Sequence, residues 1–460
     1  MGRGGRIGVA LAFAGAATVA LAADAYLDAL AAYGSAPDAS GRLLAVQSIG
    51  AAQDPRSVPV LERIVRGDRD IAVCVAAADA LGEVANERAG EAVTRLLYRG
   101  GFRLQRVALA KAIMKCPGGR TKRNALLLSP QSDQLGRALV VQSLAFDPEL
   151  DTLEILTRAL NDDDAVVRCA ALRAMSEHEY GKLEIGESIV ACLRAHADLD
   201  TRLTALDLLE DHAFDRLEEA EKVLRHDLRP QIVATLDELR AVREYRQKLE
   251  DLKRAEKDGY AVAESDRPVE PARRRRLDLI LAFDASGSNY GAVSGMQRRV
   301  QAEIDPVRAI RCDVRLGIVA FRDRPKSAGQ WETRVLPLTY SGELASEFLL
   351  TIRGRGTDAQ GSSIEAALEE ALDRMPWRRH ARREVFVITD SKAGDPDSAV
   401  CTAGRHREAD GTQTSVSWIA HTRVKVPESL KRIADAGGGT FLGERPEPPP
   451  QPGPQPNGQR

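Results

Sequence analysis

A carboxylate and two hydroxyls at alternate positions, Asp284, Ser286 and Ser288, form the group of side chains best suited to chemistry. All three offer oxygen, and a set of hard oxygen donors carrying little charge suits Mg²⁺, Mn²⁺ or Ca²⁺. A second carboxylate, Asp390, ends the run Val387-Ile388-Thr389-Asp390. The glycine-rich stretch 354–368 carries further oxygen-bearing side chains, Thr357, Asp358 and Ser362. Ser362 has a competing role, because Ser362-x-x-Glu365 spells a helix capping box.

Other chemistry is poorly represented. The seven histidines show no metal-ligand spacing, and neither a Gly-x-Ser-x-Gly elbow nor a phosphate-cradling loop is present. Ser286 has an acid neighbour in Asp284 but no adjacent base to activate it. Binding rather than turnover is expected, and no catalytic residue is assigned.

The elements around these residues set them at strand ends. Leu277–Phe283 is an apolar, β-prone run of the kind found in a buried parallel strand, and Asp284 follows directly. Further strands are expected at Val314–Ala320, Thr333–Leu338, Val385–Thr389 and Ser415–Ala420. Helices are expected at Ser294–Ile310, Glu343–Ile352, Ile364–Arg374 and Ser429–Ala436. This alternation predicts an α/β doubly wound, Rossmann-like sheet, in which ligands bind beyond the carboxyl ends of the strands.

Asp-x-Ser-x-Ser after a buried strand resembles the metal-ion-dependent adhesion site of von Willebrand factor A domains. Val387–Asp390 resembles the family's second acidic loop. Leu430–Phe441, with its Gly437-Gly438-Gly439 turn, resembles the last helix and strand. The resemblance covers 277–443 and implies a site in which two serines and a third residue touch the cation, while the aspartates act through water. Registered on the glycines of 354–368, that third residue is Thr357 or Asp358; registered on the Ala-Leu of the following helix, it is Ser362. Such a cation stays electrophilic and accepts an acidic group from a protein partner.

The first half is repetitive. Ile49, Leu81, Ile113, Leu144, Met175 and Leu209 recur at spacings of 32, 32, 31, 31 and 34 residues. Seven residues before each stand Arg42, Cys74, Arg106, Arg137, Arg168 and Arg202. Eleven before stand Asp38, Asp70, Phe102, Asp133, Asp164 and Asp198. The aspartate is placed to cap a helix and the apolar anchor to face neighbouring helices. The arginine, one turn along, is expected to reach that carboxylate or the next repeat's. A second helix per repeat is expected at stretches such as Val58–Val65 and Leu153–Leu160. Residues 24–214 resemble the short HEAT-like repeats of bacterial proteins, including those named after phycobilisome lyases, which implies an all-α solenoid presenting a surface to partners. The same register gives plain roles to two suggestive strings. Arg66-Gly67-Asp68 falls in the turn before Asp70, and Asp162-Asp163-Asp164 ends in a helix cap.

The remainder frames these two parts. Arg3 and Arg6, the apolar stretch Ile7–Val19 and Ala20-Leu21-Ala22 read as an export signal over 1–22, the alternative being an uncleaved anchor. Export to the periplasm, cell envelope or medium is expected, with no stable membrane span once the signal is cleaved. The six cysteines form no Cys-x-x-Cys pair, and their pairing stays open. A formal net charge of −2 gives no reason to expect nucleic acid as a partner. Charged helices that cap the solenoid are expected over 215–260, a linker with four consecutive arginines over 261–276, and a disordered Pro-rich tail over 444–460.

Overall fold

The computed structural model describes residues 25–117, 133–147, 150–179, 181–258, 260, 267–271, 275–286, 312–323, 331–352, 362–378, 380–418 and 426–443. The expected export signal, the helix Ser294–Ile310 and the Pro-rich tail lie outside them. Among the described residues no helix is long and apolar enough to cross a membrane.

The C-terminal part is built on one sheet of six strands: β1 (Arg275–Asp284), β2 (Cys312–Phe321), β3 (Thr333–Thr339), β4 (Arg382–Thr389), β5 (Gln413–Trp418) and β6 (Gly438–Leu442). Their order is β3-β2-β1-β4-β5-β6, with β3 antiparallel to β2 and every other pair parallel. Residues on the two faces of β1 enter different cores, as the period of two in a strand requires. Ile280 and Ala282 pack under the helices Ile364–Leu368, Pro396–Asp410 and Glu428–Ala436. Phe283 packs with Ala345 and Leu349 of Gly342–Thr351 on the other face. The sheet is therefore doubly wound. β1 has β2 on one side and β4 on the other, so the chain reverses its winding beside β1 and opens a crevice at its carboxyl end.

The first half is a solenoid of paired helices, and its pattern has a direct structural meaning. All six apolar anchors, from Ile49 to Leu209, are fully buried. Asp38, Asp70, Asp133, Asp164 and Asp198 each cap a helix by accepting a backbone N–H of its first turn, worth about 1 kcal/mol apiece. The expected second helices occur at Val58–Gly67 and Leu150–Ala159.

The arginine partners differ from expectation. Arg42, Arg137 and Arg202 pair with Asp68, Asp162 and Asp227, each two residues ahead of the next helix's N-cap. Arg168 instead reaches the next cap itself, Asp198. An aspartate at that earlier place accepts the cap residue's N–H and ties the loop to the preceding helix, as Asp68 does for Asp70 and Asp162 for Asp164. Asp68 is nearly buried between Arg42 and Tyr33, so the Arg-Gly-Asp string is part of a repeat junction. Two more helices, Leu217–Leu224 and Pro230–Lys257, close the solenoid; Ile232, Leu236, Leu239 and Val242 are the buried face of the second.

Solenoid and sheet domain meet along a seam crossing several repeats. Asp200 accepts from the Thr339 hydroxyl at 2.7 Å and the Tyr340 N–H at 3.0 Å. Arg173 donates to the carbonyls of Pro376 and Trp377, Arg374 pairs with Asp133, and Arg99 with Glu369. Arg276 pairs with Asp207 at 3.2 Å. The arginine run is thus not a wholly solvated linker: β1 already begins at Arg275, and Arg276 is held against the solenoid. Behind the seam, the fully buried Asp278 is gripped by Arg315 and Arg378.

Two local features were not anticipated. The expected helix Ile364–Arg374 is α-helical only to Leu368 and continues as a π-helix over Glu369–Arg374. That widened turn supplies Glu369, Asp373 and Arg374 to the seam, consistent with the functional placement common for π-turns. The helix Pro396–Asp410 has a low apolar content, yet Asp395 caps it and Gly411, at φ +71°, ends it.

Candidate metal centre

Asp284 ends β1 and is almost completely buried. The parallel register pairs Phe283 with Ile388, so the next residues, Asp284 and Thr389, stand side by side at the switch point. Thr389 donates its hydroxyl to Asp284 Oδ2 at 3.0 Å, and Ser362 donates to the same oxygen at 2.5 Å. The other oxygen, Oδ1, accepts the Ser286 N–H at 2.9 Å, which turns the loop back over the strand end. Ser286, Ser362 and Thr389 are all buried.

Ser362 is fixed by its backbone as well as by its side chain. Its N–H donates to the Lys392 carbonyl and its own carbonyl accepts the Gly394 N–H, which joins it to the loop after β4. The expected capping box is absent. Ser363 rather than Ser362 is the N-cap of Ile364–Leu368, and Glu365 instead accepts the Asp395 N–H at 3.3 Å. The Ser362 hydroxyl is committed to Asp284, so it is drawn into the centre and away from the helix end.

Of the residues assigned from sequence, Asp284 and Ser286 come together here. Asp390 follows Thr389 at the end of β4, half-buried, with Oδ1 accepting from Ser391 at 3.1 Å. Ser288, Thr357 and Asp358 lie outside the described residues. The role of Thr389 was missed, although the adjacency of two strands ending in Asp284 and Thr389-Asp390 carried the signal. Among the described residues no three His, Cys, Asp or Glu side chains gather as a metal cluster. The donors present are one buried carboxylate, hydroxyls and a nearby second carboxylate. That set fits a hard, oxygen-seeking divalent cation and fits poorly a soft one.

A family profile for HEAT repeats matches residues 27–113. No curated protein matches the chain. Among solved structures, an aerotolerance-related membrane protein from Bacteroides fragilis is 18% identical, covering 37% of this chain and 92% of that one, with a TM-score of 0.27. The conserved hypothetical protein BatB from Bacteroides thetaiotaomicron is 20% identical over 36% of this chain and 90% of that one, TM-score 0.27. The manganese-loaded TRAP protein of Plasmodium vivax is 16% identical over 36% and 75%, TM-score 0.24. Strand order and the loop after β1, rather than these overall likenesses, define the C-terminal domain. The chain is a helical solenoid, matched to HEAT repeats over 27–113, followed by a doubly wound α/β domain whose strand order fits the von Willebrand factor A resemblance of its sequence.

Proposed function

We propose that the chain is an exported binding or scaffold protein, whose A-type domain engages an acidic group of a protein partner through Mg²⁺, Mn²⁺ or Ca²⁺. The solenoid serves as a second interaction surface. The observation that carries this reading is the meeting of Asp284, Ser286, Ser362 and Thr389 at the switch point. Asp284, Ser286, Ser362 and Asp390 would hold the cation, together with Ser288 and Thr357 or Asp358. When bound, the cation supplies a Lewis acid for the partner's carboxylate. Thr389 positions Asp284, and the buried surroundings limit competition from water.

Placement supports the same reading. The solenoid holds Arg276 near the beginning of β1, whereas Asp284 stands at its end, roughly 26 Å of extended strand away. The metal face is therefore remote from that contact. The reading is one of binding rather than turnover, since the sequence gives Ser286 no adjacent base.

One observation favours a second reading, a structural envelope-assembly role with a metal-free A-type domain. Ser362 and Thr389 both donate to Asp284 Oδ2, which gives that oxygen a structural role in joining β1, β4 and the 362 segment. Capture of partners from an envelope fraction, with and without chelator, separates the two. Chelator-sensitive capture that is lost in Asp284→Ala supports the metal reading; capture indifferent to both treatments supports the structural one.

A further inference from the structure

The solenoid departs from its pattern at several positions, and three of them, Cys74, Gly100 and Phe102, meet the A-type domain. Where the first, fourth and sixth repeats pair an arginine with an aspartate ahead of the next helix, the second has Cys74 and Gly100. Where other repeats have a capping aspartate, the third has Phe102. The A-type domain fills each gap. Arg405 sets Nη1 3.9 Å from Cys74 Sγ. The Asp373 carbonyl lies over Gly100, where an added Cβ would approach it to 2.3 Å, and it accepts the Gly101 N–H at 3.0 Å. His406 meets the Phe102 ring edge-on, with centroids 6.4 Å apart. A repeat with arginine at 74 and aspartate at 100 would fill the space these groups occupy, so the docking place is written into the solenoid's exceptions.

The same place holds two thiols from distant parts of the chain. Cys74 Sγ lies 3.4 Å from the Asp68 carbonyl oxygen, and Cys401 Sγ, on Pro396–Asp410, lies 3.9 Å from that same oxygen. Cys74 is fully buried and Cys401 half-buried. We propose that Cys74 and Cys401 form a disulfide that fastens the A-type domain to the solenoid. The oxidising setting rests on the export reading above; the pairing itself does not.

The chemistry balances with a disulfide oxidant such as oxidised glutathione. The Cys401 thiolate attacks it, giving a mixed disulfide and one glutathione thiolate. The Cys74 thiolate then attacks the Cys401 sulfur, forming the protein disulfide and releasing the second glutathione thiolate. Two thiol protons go to solvent and two electrons to the oxidant. Burial pushes the Cys74 thiol up to about 11, against the opposing pull of Arg405, so exchange is slow once the domain has docked. The bond forms while the two parts are settling together.

The test uses the full chain, unfolded and reduced, then refolded in a mixture of oxidised and reduced glutathione, alkylated and mapped by peptide mass. The expected result is a linked Cys74–Cys401 peptide, faster migration on a non-reducing gel, and a Tm raised by roughly 5 °C or more over the reduced chain. Cys401→Ser should lose all three and keep the helical circular dichroism of the parent. Recovery of Cys74 and Cys401 as alkylated thiols, or carrying glutathione alone, overturns the proposal, as does the same gel shift in Cys401→Ser. A linked peptide from refolded chain, with Cys74 and Cys401 recovered as free thiols from chain isolated from whole cells, upholds the pairing and counts against the oxidising, exported setting.

Discussion

Replacing Asp278 with Asn should destabilise the A-type domain more than any surface substitution in it. Asp278 accepts four hydrogen bonds: from Arg315 Nε and Nη2 at 3.0 and 2.6 Å, and from the Arg378 N–H and Nε, both at 2.8 Å. Asp278 is fully buried and both arginines nearly so. Burial alone would raise its carboxyl, but the two guanidinium groups outweigh burial and hold it well below the ordinary carboxylate value. Asparagine keeps the shape and removes the charge, leaving Arg315 without its paired carboxylate and Arg378 paired with Asp313. Breaking a buried pair by removing one partner costs about 3–5 kcal/mol. For a domain of this size that is a fall in Tm of roughly 6–20 °C. Calorimetry and urea unfolding measure it. Glu384→Ala, which breaks the exposed Arg382–Glu384 pair, is the control and should cost less than about 0.5 kcal/mol. Because the Asp278 carboxyl is depressed, its contribution is present above the unfolded value and disappears only as pH falls through the folded one, in strong acid. A loss below about 1 kcal/mol in Asp278→Asn would show that the cluster does not hold the domain together.

His406 should make the seam sensitive to rising pH. Burial opposes its charge, yet Asp373 at 2.7 Å and Asp410 at 3.5 Å raise it above 6.5, with Arg405 and Arg383 the nearby opposing cations. Stabilisation is then complete below the unfolded value and is lost as pH rises through the folded one. Tm should decline above about pH 6.5 in the parent and much less in His406→Gln; parallel profiles would refute this. Gly100→Ala should cost at least about 2 kcal/mol, since φ is +101° and the added carbon meets the Asp373 carbonyl; unaltered unfolding would contradict the docking geometry. Asp164→Ala should lower stability by about 1 kcal/mol through loss of the cap on Val166 N–H, whereas a loss above about 3 kcal/mol would mean the carboxylate does more than cap.

Periodicity made much of the fold legible. The repeat anchors and aspartate caps depend on local, short-range requirements, so residues such as Ile49 and Asp70 announce their roles in the chain itself. Strand positions followed from apolar runs, and Asp284 from its place after one of them. What stayed hidden was decided by neighbours far away in sequence. Ser362 reads as either a donor or a helix cap until β1 and β4 bring Asp284 beside it. Asp278 reads as an irregularity in an apolar strand until Arg315 and Arg378 arrive from two other elements. Cys74 and Phe102 read as imperfect repeats until the A-type domain covers them. Arg276 reads as linker charge until Asp207 stands opposite.

The proposed function depends on a divalent cation at the carboxyl end of β1. Titration calorimetry of the full chain with Mn²⁺ or Mg²⁺, paired with Asp284→Ala, tests it most directly. The prediction is one saturable site per chain, abolished in Asp284→Ala while the solenoid's circular dichroism is retained. Absence of saturable heat with both metals in the parent chain, or equal binding by the variant, would contradict it.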